Sequence, residues 1–325
     1  MKKNIILLAI IVCSISNVFS QVDNDRRNRD GRTRLSQINF VAKHYYKTKS
    51  AELNLKGKVK SIREDEYDAT KKGDIYEKAP DQKYSSSDHK LITFSETGDE
   101  MSSTSFKKDG SVDYSTEFSY FKPGMVSQQL IFDGKHKLES KYTYEYDVKD
   151  YLVTETKFDN NGKMLYQDKY FYTFPSNNSY EKQFFDTNGK LNPEKLTYTY
   201  NNDTLLSEER NLASDGANTW YHMYLYDNAQ HVIKQTIYSS KAKKGEDVKV
   251  MGYEVSNIIT FEYDANGNMT KMNQETIYNG KSSFQEEKHE YTYDSKGNWI
   301  KKISSGTTLM LEDTPKVIER QIKYF

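Results

Sequence analysis

Asp264-Ala-Asn266-Gly-Asn268 places three side-chain oxygens within five residues, the hard donors that calcium gathers. It lacks the bidentate glutamate that completes an EF-hand loop. Asp and Asn also bond their own nearby backbone, and glycine accepts positive φ, so the same residues make a tight turn. That composition recurs at a regular spacing, and turn chemistry accounts for every copy. Six histidines, at 44, 89, 136, 222, 231 and 289, show no i, i+4 pair of a zinc helix. They read as structural or surface side chains. Glu286, Glu287 and Glu290 are the densest acidic group. Two carboxyl groups brought together in space can hydrolyse a glycan. Along a strand, however, such a run is a solvated face. No Gly-x-Ser-x-Gly, phosphate loop or His-Glu-x-x-His accompanies it. Trp220, Trp299 and the tyrosines could stack on sugar rings or on a protein partner. As a set they read as core, because soluble proteins rarely expose a large apolar patch. Trp299 is expected to pack over a neighbouring hairpin.

These residues are carried by repeats. Phe158-Asp-Asn-Asn-Gly162, Phe185-Asp-Thr-Asn-Gly189 and Leu212-Ala-Ser-Asp-Gly216 have glycines 27 residues apart (189 − 162 and 216 − 189). Phe132-Asp-Gly134 begins 26 residues before Phe158. Interleaved turns follow Tyr146-Asp147, Pro175, Tyr200 and Tyr226-Asp227. A turn therefore falls about every 13 residues and leaves room for a strand between. Tyr142, Tyr144 and Tyr146 alternate with polar residues, as do Tyr170, Tyr172 and Phe174, then Leu196, Tyr198 and Tyr200. Tyr224 and Tyr226, Phe261 and Tyr263, and Tyr291 and Tyr293 continue the stripe. Period-2 alternation between Asn/Asp/Gly turns signals hairpins. The expected fold is all-β: tandem antiparallel β-hairpin repeats forming a long curved or spiral meander sheet. Residues 71–90 and 239–250 break the rhythm and are expected to be protruding loops.

The composition agrees. An apolar fraction of 35% is low, but 27 tyrosines lift the aromatic share to 14%, unlike a disordered chain. Lys and Arg number 47, as do Asp and Glu, so no net field draws nucleic acid. Lys2 and Lys3, the apolar run at residues 5–12 and the small Ser20 before Gln21 have the order of a secretory signal peptide. That run is too short to span a bilayer. Cys13, the one cysteine, sits inside it beside bulky Ile10, Ile11 and Val12, which argues against a lipid attachment site. Cleavage after Ser20 leaves 305 residues (325 − 20) without cysteine, and hence without disulfides or thiolate chemistry. The expected layout is a signal peptide over residues 1–20, a polar, partly disordered leader over 21–50, and the repeat domain over 51–325. A short helix or first strand is expected near 38–46.

Phe261-Glu-Tyr-Asp-Ala-Asn-Gly-Asn268 and Tyr291-Thr-Tyr-Asp-Ser-Lys-Gly-Asn298 resemble the YD repeat of the RHS family. Tyr144-Glu-Tyr-Asp147 and Tyr224-Leu-Tyr-Asp227 are weaker copies that lack the glycine. The resemblance covers roughly residues 53–325 and implies a repeat sheet that spirals into a shell. The chain is short, shows no self-cleavage motif and ends without a toxin-like segment, so the family's toxin function does not carry over. It looks like the small secreted YD-repeat proteins of Bacteroidetes-type bacteria. The repeat-motif residues with a structural role are Tyr146, Asp147, Asp159, Gly162, Asp186, Gly189, Tyr226, Asp227, Tyr263, Asp264, Gly267, Tyr293, Asp294 and Gly297. The functional expectation is an exported, periplasmic, cell-surface or secreted protein. It would be a non-enzymatic scaffold or binding protein with a protein or glycan partner, no cofactor, no metal, no nucleic acid and no membrane span. The alternative is an extracellular glycan hydrolase. N-terminal sequencing of the exported protein should begin at Gln21, and chelating calcium should leave its melting temperature unchanged.

Overall fold

The computed structural model describes residues 47–73, 75–79, 89–185, 189–201, 205–212, 218–240, 253–307 and 315–325. The expected signal peptide, residues 21–46 of the leader, the element near 38–46, Asp186 and the lysine-rich segment 241–252 lie outside the described residues. A one-turn helix, α1 (Lys49–Glu52), precedes the sheet. The strands are β1 (Val59–Lys72), β2 (Ile75–Lys78), β3 (His89–Phe94), β4 (Glu100–Phe106), β5 (Val112–Lys122), β6 (Met125–Asp133) and β7 (Leu138–Tyr146). They continue as β8 (Leu152–Asp159), β9 (Met164–Ser176), β10 (Ser179–Phe185), β11 (Leu191–Tyr200), β12 (Leu206–Leu212) and β13 (Asn218–Tyr226). The last are β14 (Val232–Ser240), β15 (Tyr253–Tyr263), β16 (Met269–Tyr278), β17 (Lys281–Tyr293), β18 (Trp299–Thr307) and β19 (Lys316–Tyr324).

From β3 to β19 each strand pairs antiparallel with the next, which is the expected meander. The expected open or spiral sheet is replaced by a ring. β1 pairs with β19 from Val59↔Tyr324 to Asp68↔Lys316 and with β3 along its other edge, from Ser61↔Thr93 to Glu64↔Lys90. Eighteen of the nineteen strands thus form a closed antiparallel barrel. Closure satisfies the two ladder edges that an open sheet would leave bare. β2 stands outside the ring and pairs with the far end of β1, Ala69↔Lys78 to Lys72↔Ile75. The interval 71–90, expected as a loop, therefore carries a hairpin: Thr70, Lys71 and Lys72 extend β1 beyond β19 and need a partner of their own.

The turns explain themselves atom by atom. At Asp133, Asp147, Asp159, Asp264 and Asp294 one carboxylate oxygen accepts the N–H groups two and four residues on. The backbone N–H of each Asp bonds the carbonyl four residues later, and the N–H three residues later bonds back. That third position is left-handed. Gly162, Gly267 and Gly297 fill it with φ of 81°, 78° and 84°, and Gly189 holds φ 76°. The copies without glycine complete the same turn with Asp150 and Gln230, both at φ 68°. In the calcium candidate, one Asp264 oxygen is occupied by the Asn266 and Asn268 backbone amides and the other by Tyr293, and no group of three or more His, Cys, Asp or Glu among the described residues could hold a metal.

Alternation sorts the side chains. Tyr142, Tyr144, Tyr170, Tyr198, Tyr200 and Phe261 are buried on the inward face, while Phe174 is 44% exposed. Tyrosine hydroxyls stitch one mouth of the barrel. Tyr120, Tyr146, Tyr172 and Tyr226 each donate to the carbonyl 20 residues back, on Glu100, Val126, Leu152 and Leu206, at 2.7–2.9 Å. Tyr263 and Tyr291 donate to the carbonyls of Val232 and Met269, 31 and 22 residues back. Residues 47–57 lie across this mouth as a strap, so the end of the expected leader is ordered. Ser50 N–H bonds Gly98 O at 2.9 Å, the Asn54 amide bonds Asn266 O at 2.8 Å, and Lys56 and Asn298 exchange two bonds at 2.7 and 2.8 Å. Leu53 and Leu55 pack on Val59, Ile62, Ile92 and Phe94.

The outward face carries Arg63–Asp65, Lys195–Glu181 and Lys271–Glu286 pairs at 2.8–2.9 Å. Leu165, Phe171, Met223, Leu225 and Phe284 stand exposed on the same face. Replacing Gln230 with Gly should stabilise the fold by about 0.5–1 kcal/mol, the left-handed penalty less the glycine entropy. Gly267→Ala should cost about 1–2 kcal/mol, since its Cβ would also sit 2.9 Å from His231 Nε2. Urea unfolding of the two variants checks both.

Candidate functional site

The inward face is polar and aromatic. Strand parity places Glu209 of β12 opposite His222 of β13, with Tyr198 on one side and Gln235 beyond Tyr224 on the other. Tyr224 Oη donates to Glu209 Oε2 at 3.3 Å and lies 3.4 Å from His222 Nδ1. His222 Nδ1 is 3.8 Å from Glu209, and the ring stacks on Trp220 at 4.6 Å. Burial pushes the Glu209 carboxyl up and the His222 imidazole down to about 4. Burial thus favours the uncharged form of both groups.

A second stretch runs over β17, β18, β19, β1 and β3. Arg320 grips Glu64 with two nitrogens at 2.6 and 2.7 Å, Lys90 takes the other Glu64 oxygen at 2.7 Å, and the guanidinium lies 3.3 Å over the Trp299 ring. Burial opposes the Glu64 charge, but Lys90 and Arg320 outweigh it and hold the carboxyl below its usual range. His289 contacts Ser304 Oγ at 3.0 Å and Glu287 at 3.4 Å. Burial, with some repulsion from Lys302, lowers His289 to about 4. A third stretch joins Tyr144, Glu155 and Asp168, which are register partners, with Lys157 5.3 Å over Tyr142 and Lys182 3.9 Å over Tyr170. Glu155 is 1% exposed.

The residues singled out by the repeat pattern do not lie on this wall. Asp147, Asp159, Asp227, Asp264 and Asp294 build turns, as do Gly162, Gly189, Gly267 and Gly297. Tyr146, Tyr226 and Tyr263 stitch the mouth, while Tyr293 and Tyr324 donate to the turn carboxylates of Asp264 and Asp294. Trp299, expected over a neighbouring hairpin, instead lies 6.0 Å from Tyr291 within its own β17–β18 hairpin, with the Arg320 guanidinium of β19 over its ring. The acidic group expected as one cluster is split: Glu286 faces out to Lys271 and Lys288, and Glu287 faces in to His289. Period-2 alternation sends neighbours to opposite faces. Sequence reasoning missed Glu209, His222, Gln235, Glu64, Arg320 and Lys302. The available signal was parity: His222 stands two residues before Tyr224, and His289 two before Tyr291, so each shares its tyrosine's face.

The chain matches no protein-family model and no curated protein. Among solved structures it is similar to a porin-like protein from Bacteroides uniformis ATCC 8492, at 12% identity and a TM-score of 0.35, over 82% of this chain and 98% of that one. It is also similar to TcdB2-TccC3, at 15% identity and a TM-score of 0.28, over 72% of this chain. The form without the hypervariable C-terminal region aligns at 14% identity and a TM-score of 0.24 over 68% of this chain. The chain spans only 12% and 16% of those two much longer chains. Likeness at this level says nothing about activity.

His222 and His289 set a pH dependence. Below pH 6.5 the unfolded chain protonates them, whereas the folded chain resists until about 4. Their contribution is complete above 6.5 and is lost as pH falls toward 4, while the raised Glu209 acts in the opposite sense. Each histidine should cost roughly 1 kcal/mol per pH unit in that window. Urea unfolding from pH 7.5 to 4.5 should show the decline, and His222→Gln should flatten it by about half.

Proposed function

We propose that the chain is an exported, non-enzymatic YD-repeat barrel whose inner wall binds a polar partner, a glycan in preference to a protein. The observation that carries this reading is the inversion of polarity across the inward face. Tyrosine, tryptophan, glutamine, histidine and ion pairs line the side that a simple structural barrel would fill with aliphatic residues. Rings offer apolar faces to sugar C–H groups, and a few fixed polar atoms orient the hydroxyls. The outward charged pairs fit a water-facing barrel of the periplasm, cell surface or secreted fraction, and the N-terminal segment fits export. Membership among YD repeats is supported by the Tyr and Asp roles at the mouth and in the turns.

A second reading, glycan hydrolysis, has one specific point in its favour. Glu155 and Asp168 are direct cross-strand partners on the inward face, so their Cβ atoms stand about 5 Å apart, near the spacing of a retaining carboxyl pair. Release of reducing sugar that Glu155→Gln abolishes would replace the binding reading with this one.

The mature protein should bind members of a glycan array, and Trp220→Ala should weaken binding about tenfold. Absence of a binder on the array, together with an empty pull-down from the envelope fraction, removes the proposal.

A further inference from the structure

Lys302 projects inward from β18, directly opposite Tyr291 of β17 and Ile318 of β19. Other inward cations are matched. Lys90 and Arg320 share Glu64, Lys316 pairs with Asp68 and with Glu66 at 3.7 Å, and Lys182 covers the Tyr170 ring. Lys302 makes no hydrogen bond and no ion pair among the described residues. Of the acids that face it, Glu64 is taken by Arg320 and Lys90 and Glu66 by Lys316, while Glu287, beside the neutral His289, acts on Lys302 without reaching ion-pair distance. Burial lowers the Lys302 pKa, and the fields of Glu287 and Glu64 oppose that only from a distance. A shielded ammonium without a counter-ion is costly and asks for a reason.

The surroundings supply one. Arg320, fixed by Glu64 and Trp299, adds a second immobile positive charge. Ser304 and His289 stand beside Lys302 on the same face, and Tyr291 offers a ring. The wall is not sealed at this place, because the inward side chains of Glu287 and Lys90 are 44% and 45% exposed. We propose that this corner is an anion site for an acidic glycan, with Lys302 Nζ meeting a carboxylate or sulfate group while Tyr291 flanks the sugar ring. The aromatic and hydroxyl lining favours a sugar over an acidic peptide. This inference rests on the inward face being a binding surface.

Calorimetry on the mature protein tests it with four probes: tetragalacturonate, a heparin-derived tetrasaccharide, neutral cellotetraose and tetraglutamate. At least one acidic sugar should bind more tightly than cellotetraose, and which one identifies the carboxylate or sulfate as the recognised group. Lys302→Met should weaken that binding by about tenfold to a hundredfold, the worth of one charge-assisted bond. Lys302→Arg should retain most of it. Lys301→Met, which faces outward opposite Glu319, should leave it unchanged. In the absence of ligand, Lys302→Met should raise the melting temperature, because it removes an uncompensated charge; Lys302→Gln serves if the Met variant fails to fold. Equal binding by wild type and Lys302→Met, or binding of cellotetraose alone, overturns the anion site and leaves the binding wall standing. Binding of tetraglutamate in place of the sugars overturns the glycan assignment. Silence with all four probes overturns the anion site and leaves the binding wall to be decided by the array and the pull-down.

Discussion

The pairing of β1 with β19 brings Glu64 and Arg320 together across 256 residues of chain, and the rest of the barrel depends on that contact. A meander of hairpins is held locally, each strand by the one before it, and its two ends have no local reason to meet. Loop-closure entropy grows only slowly with length, so a ladder that satisfies two bare edges can offset it. Register is fixed as well as proximity. A slip of one residue would turn Arg320 away from Glu64 and carry Ile62, now fully buried on the inward face, to the outer side.

A ring of this many strands faces a second constraint, because its inward surface is too large to be covered by a simple aliphatic core. The chain meets this with broad side chains that carry polar tips. Tyr144 reaches Gln129 at 3.1 Å, and Gln274 approaches Asn257 at 3.5 Å. Elsewhere on this face burial lowers the pKa of His222 and His289 and raises that of Glu209. Buried polar groups are expensive unless satisfied, so this lining depends on its hydrogen bonds in a way that an apolar one would not.

Much of this was legible beforehand. Turn after turn, Asp with a following glycine announced a reversal, and the tyrosine parity announced which face would be covered. The left-handed residues Asp150, Gln230 and His136 were hidden, because their turns use the backbone pattern of the glycine copies without the glycine. Closure was illegible for a different reason. Nothing local in residues 59–68 or 316–324 marks them as partners, since the complementarity of Glu64 with Arg320 exists only once the strands lie side by side. The inward clusters were obscured by dispersion: Lys90, Glu64, Arg320 and Lys302 come from four strands, and only the ring assembles them.

Four of the mouth tyrosines reach back the same 20 residues in four separate hairpins, which makes the hairpin a standard module. A duplicated or deleted module would bring its own stitch and its own turn, and would alter the strand number by two without disturbing its neighbours. Barrel diameter rises with strand number, so duplication of a module would widen the ring in whole steps while leaving each local interaction intact.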